Sequence, residues 1–71
     1  MGREIKAHIT GTVWKVEVAP GDHVDETTVV VILESMKMEM PVEAEETGTV
    51  AEVLVSEGQA VIEGAPLVRL V

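Results

Sequence analysis

The side chain best suited to covalent chemistry in this sequence is the amine of Lys37, at the centre of E-S-M-K-M-E-M, residues 34–40. A lysine amine has an ordinary pKa near 10.4, so near neutral pH it is mostly protonated and a poor nucleophile. Nucleophilic lysines are activated by desolvation or by a cationic neighbour, whereas the neighbours here include Glu34, Glu39 and Glu43. We therefore interpret Lys37 as an acceptor that another enzyme deprotonates and acylates.

Two methionines, Met36 and Met38, flank this lysine. Methionine is flexible and polarizable and is common on adaptable binding surfaces, so an exposed pair beside a lysine predicts a recognition patch. The alternative is that both methionines fill the core and that Lys37 is an ordinary surface charge. The position of the segment, argued below, favours recognition, while Met40 is expected to belong to the core.

The remaining composition gives little support to catalysis. His8 and His23 are the only histidines, there is no Cys, and the thirteen acidic residues are scattered, so we predict neither an enzyme active site nor a metal site. Asp22, Asp25 and Glu26 are interpreted as solvated surface charges.

The charge balance and the absence of long apolar runs limit the kinds of partner that the chain can bind. A net charge of −8 argues against nucleic acid and against anionic membranes. The first residues lead into no apolar segment, and no run approaches membrane-spanning length. We expect a cytoplasmic protein that is monomeric as an isolated domain.

The elements on either side of Lys37 predict that it lies at the tip of a β-hairpin. The apolar run 29–33 precedes the segment, and a second extended stretch, 40–42, follows it. Tight hairpin turns usually contain Gly, Asn or Asp because their central residues need positive φ. Methionine and lysine break this rule, as is typical of functional or strained sites.

The chain is also a duplication. Residues 11–34 and 48–71 align without gaps at an offset of 37, and ten of the paired positions are identical, mostly valines and turn glycines. The pattern predicts strands at 4–9, 12–18, 29–35, 38–43, 48–55 and 66–70, with short extended pieces near Val24 and Val61. Two valine-faced sheets related by a pseudo-twofold axis would form one domain, residues 1–71, with the termini at one end and Lys37 at the other.

The segment E-S-M-K-M-E-M resembles the attachment sequence of the biotinyl/lipoyl domain family, commonly E-A-M-K-M. The resemblance covers essentially the whole chain and includes G-T-V at the start of both copies and V-x-x-G-x-x-V at 18–24 and 55–61. It implies an all-β barrel-sandwich hybrid, a flattened barrel of two four-stranded antiparallel sheets with internal pseudo-twofold symmetry and the modified lysine on an exposed hairpin.

The resemblance also implies a function, that of a biotin carboxyl carrier. A biotin protein ligase would transfer a biotinyl group to Lys37 after reading Glu34, Ser35, Met36 and Met38. The attached biotin would then carry carboxylate between a biotin carboxylase and a carboxyltransferase, and the chain itself would not be an enzyme.

Some alternatives stay open. Ser35 stands where alanine is commoner, which is a change of one small residue for another. No "thumb" insertion separates Val24 from Val29, so the chain is either a free-standing attachment protein or a domain of a larger carboxylase. Lipoyl domains usually carry D-K-A or D-K-V at the tip, so a lipoyl carrier of a 2-oxoacid dehydrogenase or of the glycine cleavage system is the second hypothesis. An unmodified structural or interaction module of the same fold is the third.

Overall fold

The computed structural model describes residues 3–71, which form eight strands in two four-stranded antiparallel sheets. The strands are β1 (Arg3–Lys6), β2 (Gly11–Val16), β3 (His23–Val24), β4 (Val29–Ser35), β5 (Met38–Glu43), β6 (Gly48–Val53), β7 (Ala60–Val61) and β8 (Pro66–Leu70). Met1 and Gly2, which the predicted domain includes, lie outside the described residues. The strand order is β1-β8-β6-β3 in one sheet and β5-β4-β2-β7 in the other. This part of the chain contains no helix, and hence none long and apolar enough to cross a membrane.

Three strands are shorter than the sequence predicts. β1, β2 and β6 end at Lys6, Val16 and Val53, whereas their predicted ends were 9, 18 and 55. Beyond these points pairing continues only as isolated backbone bonds; the N–H of Ala7, for example, donates to the carbonyl of Ala65 at 2.8 Å. Apolar residues continue past the end of each strand, because the backbone that follows still packs against the core. These residues prolong the apolar pattern in the sequence, which therefore predicts longer strands.

The predicted duplication is confirmed in the pairing of the strands. A shift of 37 residues converts each sheet into the other, so that β1, β8, β6 and β3 correspond to β5, β4, β2 and β7. The register repeats as well, because the pair Arg3 and Leu70 corresponds to the pair Met40 and Leu33. Each copy lends its shortest strand to the sheet of the other copy, since β3 pairs with β6 and β7 pairs with β2. Neither copy therefore completes a sheet alone.

The pairing of Arg3 with Leu70 also places the start of β1 beside the end of β8, as predicted for the termini. Under the same shift, this pair of chain ends corresponds to the hairpin between β4 and β5. The hairpin that carries Lys37 is thus the one connection that the second copy lacks.

The core between the sheets is aliphatic, and the described residues contain no buried polar or charged side chain. The buried residues are Ile5, Ala7, Val13, Val24, Val30, Val31, Leu33, Val42, Ala44, Val50, Val55, Val61, Leu67, Val68 and Leu70. Each Val or Leu side chain removed from water contributes about 1.5–3 kcal/mol, which offsets much of the conformational entropy lost by the ordered strands. The core therefore holds β4 rigidly beneath the hairpin.

Asp22 and Asp25 are not merely solvated charges, as the sequence suggested, because both organise turns. A carboxylate oxygen of Asp22 accepts a hydrogen bond from the N–H of Ala19 at 2.9 Å. The carboxylate of Asp25 accepts from the N–H of Thr27 at 2.8 Å, and from the hydroxyls of Thr27 and Thr28 at 2.9 and 3.2 Å. The Asp22 bond fixes the turn before β3, and the Asp25 bonds fix the loop that leads into β4.

The hydrogen bonds from Thr27 and Thr28 lower the pKa of Asp25 below its ordinary value of 3.8. A depressed pKa in the folded protein means that this stabilisation is fully present above 3.8 and is lost as the pH falls through the lower folded value. We expect an NMR titration to place the pKa of the Asp25 carboxyl below 3.8. The variant Thr27→Val keeps the N–H bond and removes only the hydroxyl bond, so it should raise the Asp25 pKa part of the way towards 3.8. An unchanged Asp25 pKa in Thr27→Val would show that the Thr27 hydroxyl does not contribute to the shift.

Candidate functional site

A two-residue turn, Met36-Lys37, joins β4 to β5 directly after the pair formed by Ser35 and Met38. Both turn residues have positive φ, 53° at Met36 and 64° at Lys37. This is the pattern of a type I′ hairpin turn, which matches the strand twist but normally uses Asn-Gly or Gly-Gly. A residue with a Cβ in this conformation costs about 1–2 kcal/mol, so the fold holds these two side chains in an unfavourable conformation.

The turn exposes the residues that the sequence analysis grouped around the lysine. Met36 is 92% exposed, Met38 is 57% exposed, and Lys37 is exposed between them. Among residues 3–71, the Lys37 side chain makes neither an ion pair nor a hydrogen bond. The predicted joint exposure of both methionines is confirmed, and within the described residues the amine has no partner to displace.

Exposure alone does not single out Lys37, because Lys6 and Lys15 are exposed too. Those two side chains lie on β1 and β2, where the strand backbone is paired on at least one side. Lys37 alone of the three lies in a connection, at the apex of the hairpin formed by β4 and β5. Its geometry, rather than its accessibility, distinguishes it.

Below the turn, Glu34 on β4 lies directly opposite Glu39 on β5, and both are exposed. Like charges in opposite positions destabilise an antiparallel pair. Ser35 is half-buried. Met40, opposite Leu33, is also only half-buried and lies outside the core cluster, so the expectation that it belongs to the core is wrong. Its equivalent in the other sheet is the exposed Arg3, which shows that this position lies at the rim of the sandwich.

Gly11 supports the hairpin from β2, a role that the sequence did not reveal. A Cβ at this position would lie 2.5 Å from the carbonyl oxygen of Glu34 and 3.5 Å from the Cβ of Ser35. Only glycine lets β2 approach β4 this closely immediately before the turn. The G-T-V pattern that first appeared as a repeat signal therefore also positions the candidate site.

Replacing Gly11 with alanine should destabilise the protein by about 1–3 kcal/mol, because the added methyl meets backbone that cannot move without disturbing β4. Gly48→Ala is the matched control, since Gly48 is the equivalent residue in the second copy. There the nearest atom, at 2.7 Å, is the end of the flexible Arg3 side chain. Urea denaturation should therefore show the larger loss for Gly11→Ala, and an equal or smaller loss would contradict this explanation.

The conformation of the turn gives a second stability prediction. Met36→Asn should stabilise the protein by up to about 1 kcal/mol, because asparagine tolerates positive φ far better than methionine does. Met38→Asn is the control, because Met38 begins β5, where asparagine is unfavourable. Urea midpoints measure both variants. A loss of stability in Met36→Asn would mean that the turn is not strained.

Comparison with known proteins identifies relatives over nearly the full chain. The family model described as "Biotin-requiring enzyme" matches residues 1–70. The chain is 44% identical over 66 residues to the biotin/lipoyl attachment protein of Bacillus subtilis, covering 93% of this chain and 90% of that protein. It is 41% identical over 71 residues to the biotinylated protein TB7.3 homolog of Mycobacterium leprae, covering 100% of this chain and 99% of that protein.

Other relatives are much longer. A putative urea carboxylase of Emericella nidulans is 47% identical over 66 residues, which are 89% of this chain but 5% of that protein. Among solved structures, the Kluyveromyces lactis urea carboxylase matches 100% of this chain with a TM-score of 0.92 and 35% identity, and the match spans 6% of that chain. A single-chain, multi-domain long-chain acyl-CoA carboxylase matches 96% of this chain with a TM-score of 0.89 and 32% identity, over 7% of its own length. The predicted all-β, two-sheet fold is thus that of domains found within carboxylases.

Proposed function

The chain belongs to the biotin-requiring family of attachment domains, and we propose that it is a biotin carrier whose cofactor is attached to the amine of Lys37. The observation that carries this proposal is the Met36-Lys37 turn. It places one lysine at an exposed apex, in a conformation that neither residue favours, and it occurs once in a fold whose strand order is otherwise repeated.

The residues present fit a covalently attached group. The Lys37 side chain is exposed and has no ion-pair partner among the described residues, so an amide at Nζ would break no contact within this part of the chain. No histidine or cysteine of the chain lies in the hairpin to act as a base. We infer that a partner enzyme, a biotin protein ligase, takes the proton from the amine. The new amide would join Nζ to the carboxyl carbon of biotin as AMP leaves a biotinyl-adenylate.

The chain's own residues would present and orient this lysine. Leu33, two residues before Ser35 on β4, is fully buried and holds the hairpin to the core. Met36 and Met38 offer apolar surface on both sides of Lys37 to the ligase, and Glu34 and Ser35 complete the segment that it reads. When attached, biotin supplies a ureido nitrogen that accepts and releases carboxylate at the sites of a biotin carboxylase and a carboxyltransferase. The chain would act as a mobile substrate of those enzymes.

The relatives favour biotin over lipoate. They include a biotin carboxyl carrier protein of Streptococcus mutans, and both matched structures are carboxylases. The lipoyl carrier, which the sequence left open, is therefore not favoured, and the unmodified interaction module stays an alternative.

Intact mass after expression with each modifying enzyme tests this proposal. With a biotin protein ligase and biotin, we expect one biotinyl group per chain; with a lipoate ligase and lipoate, we expect the unmodified mass. Lipoate in place of biotin would establish the second hypothesis instead. No modification by either ligase would leave an interaction module and contradict the proposal.

A further inference from the structure

The outer faces of the two sheets differ in one row of residues, although the sheets are copies of each other. In the sheet that contains β8, the row crosses from Glu4 through Arg69 to Glu52, which are paired in register. The guanidinium of Arg69 forms a salt bridge with the Glu52 carboxylate. This row is charged and ion-paired, as expected of a sheet face in contact with water.

The equivalent row on the other sheet is largely apolar. Ile32 on β4 pairs with Pro41 on one side and with Lys15 on the other. The register shifts between Val13 and Lys15, so Trp14 is the extra residue of a β-bulge and shares the position opposite Ile32 with Lys15. The Lys15 amine lies 5.8 Å from the centroid of the Trp14 ring, which indicates that both side chains project to the same side.

Trp14 is the only aromatic residue of the chain, and it lies on the surface, 46% exposed, rather than in the core. At the equivalent bulge in the other sheet stands Ala51. Tryptophan is the residue most enriched among interface hot spots, where truncation of one side chain removes much of the binding energy. We call Trp14, Lys15, Ile32 and Pro41 the apolar row.

We propose, building on the biotin-carrier function above, that the apolar row is the surface by which the chain docks on its biotin carboxylase. The row lies on the face that also carries Glu34 and Glu39 and continues towards the Met36-Lys37 turn. An acidic border of this kind fits a partner surface rimmed by Lys and Arg. An enzyme that binds MgATP and bicarbonate, both anionic, is expected to be electropositive around its entrance.

Distance along the strand favours the carboxylase over the ligase. Ile32 lies three residues before Ser35, about 10 Å from the turn at roughly 3.3 Å per residue. A ligase must bring the amine itself into its active site, so its contacts centre on the turn. A carboxylase needs only the ring of the attached biotin, which stands beyond the amine by the length of its acyl chain. It can therefore hold the protein by the sheet face. A second copy of the chain is a poor occupant because each copy carries a net charge of −8.

The duplication supplies a variant that tests this proposal without removing the fold. The triple variant Trp14→Ala, Lys15→Glu and Ile32→Arg gives the apolar row the residues that stand at the equivalent positions of the other sheet, Ala51, Glu52 and Arg69. That row is tolerated there in the same register, so circular dichroism should show a folded protein. The control variant combines Glu52→Gln with Arg69→Gln. It changes a similar number of charged groups on the outer face of the other sheet.

Each protein is first biotinylated with a biotin protein ligase and checked by intact mass. It is then used as the substrate of the biotin carboxylase encoded in the same genome, with MgATP and bicarbonate. We expect the triple variant to be biotinylated at the wild-type rate but to show a KM at least about tenfold higher in the carboxylase reaction, with kcat much less affected. The control variant should match the wild type in both reactions.

Four results would overturn the inference. An unchanged KM for the triple variant would show that the row is not a docking surface. Slower biotinylation with an unchanged carboxylase KM would assign the row to the ligase. A wild-type dimer in sedimentation that the triple variant loses would assign it to a second copy. Absence of biotin on the wild-type chain would reject the carrier function and this inference together, and it would be seen before the carboxylase assay is run.

Discussion

Replacing Lys37 with arginine should reduce biotinylation of this chain to background. Arginine keeps the positive charge and a side chain of similar length, so the turn and its charge balance should survive. Its guanidinium stays protonated in proteins, so it offers no free amine to an activated acyl group. Probing with avidin after co-expression with a biotin protein ligase measures the effect, and circular dichroism checks that the variant is folded.

Lys6→Arg and Lys15→Arg are the matched controls, because these are the other two lysines of the chain and both are exposed. Both should keep full avidin labelling. Labelling that survives in Lys37→Arg, or that is lost in either control, would place the attachment site elsewhere. The turn would then have no role in attachment.

The second large effect concerns the core beneath the turn. Leu33→Ala should destabilise the protein by about 2–5 kcal/mol, since Leu33 is fully buried between the sheets and its truncation leaves a cavity. Small domains are stable by only about 5–15 kcal/mol, so this variant should be close to unfolding. Because Leu33 lies opposite Met40 near the end of the hairpin, the loss should also reduce the order of the turn.

The equivalent residue Leu70 provides the comparison, because it is also fully buried and lies in the same register opposite Arg3. Urea denaturation should give similar losses for Leu70→Ala and Leu33→Ala, since duplication places them in matching environments. A Leu33→Ala variant within about 1 kcal/mol of the wild type would show that the core does not hold the hairpin in the way described.

Much of the topology could be predicted from the sequence because the duplication repeats valines and glycines at a constant offset. Two copies that each expose an apolar face must bury those faces against each other, and this requirement gave the two sheets and the position of the termini. The exchange of β3 and β7 between the copies could not be predicted. Two-residue strands such as His23–Val24 are too short to show any periodicity, and their partner is chosen by packing of the whole chain.

The candidate site was also only partly predictable from the sequence. The exposed apex at Lys37 followed from local patterns, since apolar stretches on both sides of a polar segment predict a hairpin. The roles of Gly11 and Trp14 depend on residues distant in sequence. Gly11 matters because β4 passes close to it. Trp14 lies at a β-bulge. The regular alternation of apolar and polar residues after Lys15 does not predict that bulge. The role of Asp25 in its loop could not be predicted, because its hydrogen bonds to Thr27 and Thr28 depend on the exact conformation of that loop.

We propose that the strained turn presents Lys37 as the site of covalent attachment. Peptide mapping of the chain purified from its own host, without added ligase, tests this proposal most directly. We predict biotin in amide linkage on the peptide that contains Lys37, and unmodified peptides containing Lys6 and Lys15. Biotin on either of those peptides, lipoate on Lys37, or an unmodified Lys37 in cells whose other biotin proteins are labelled would contradict it.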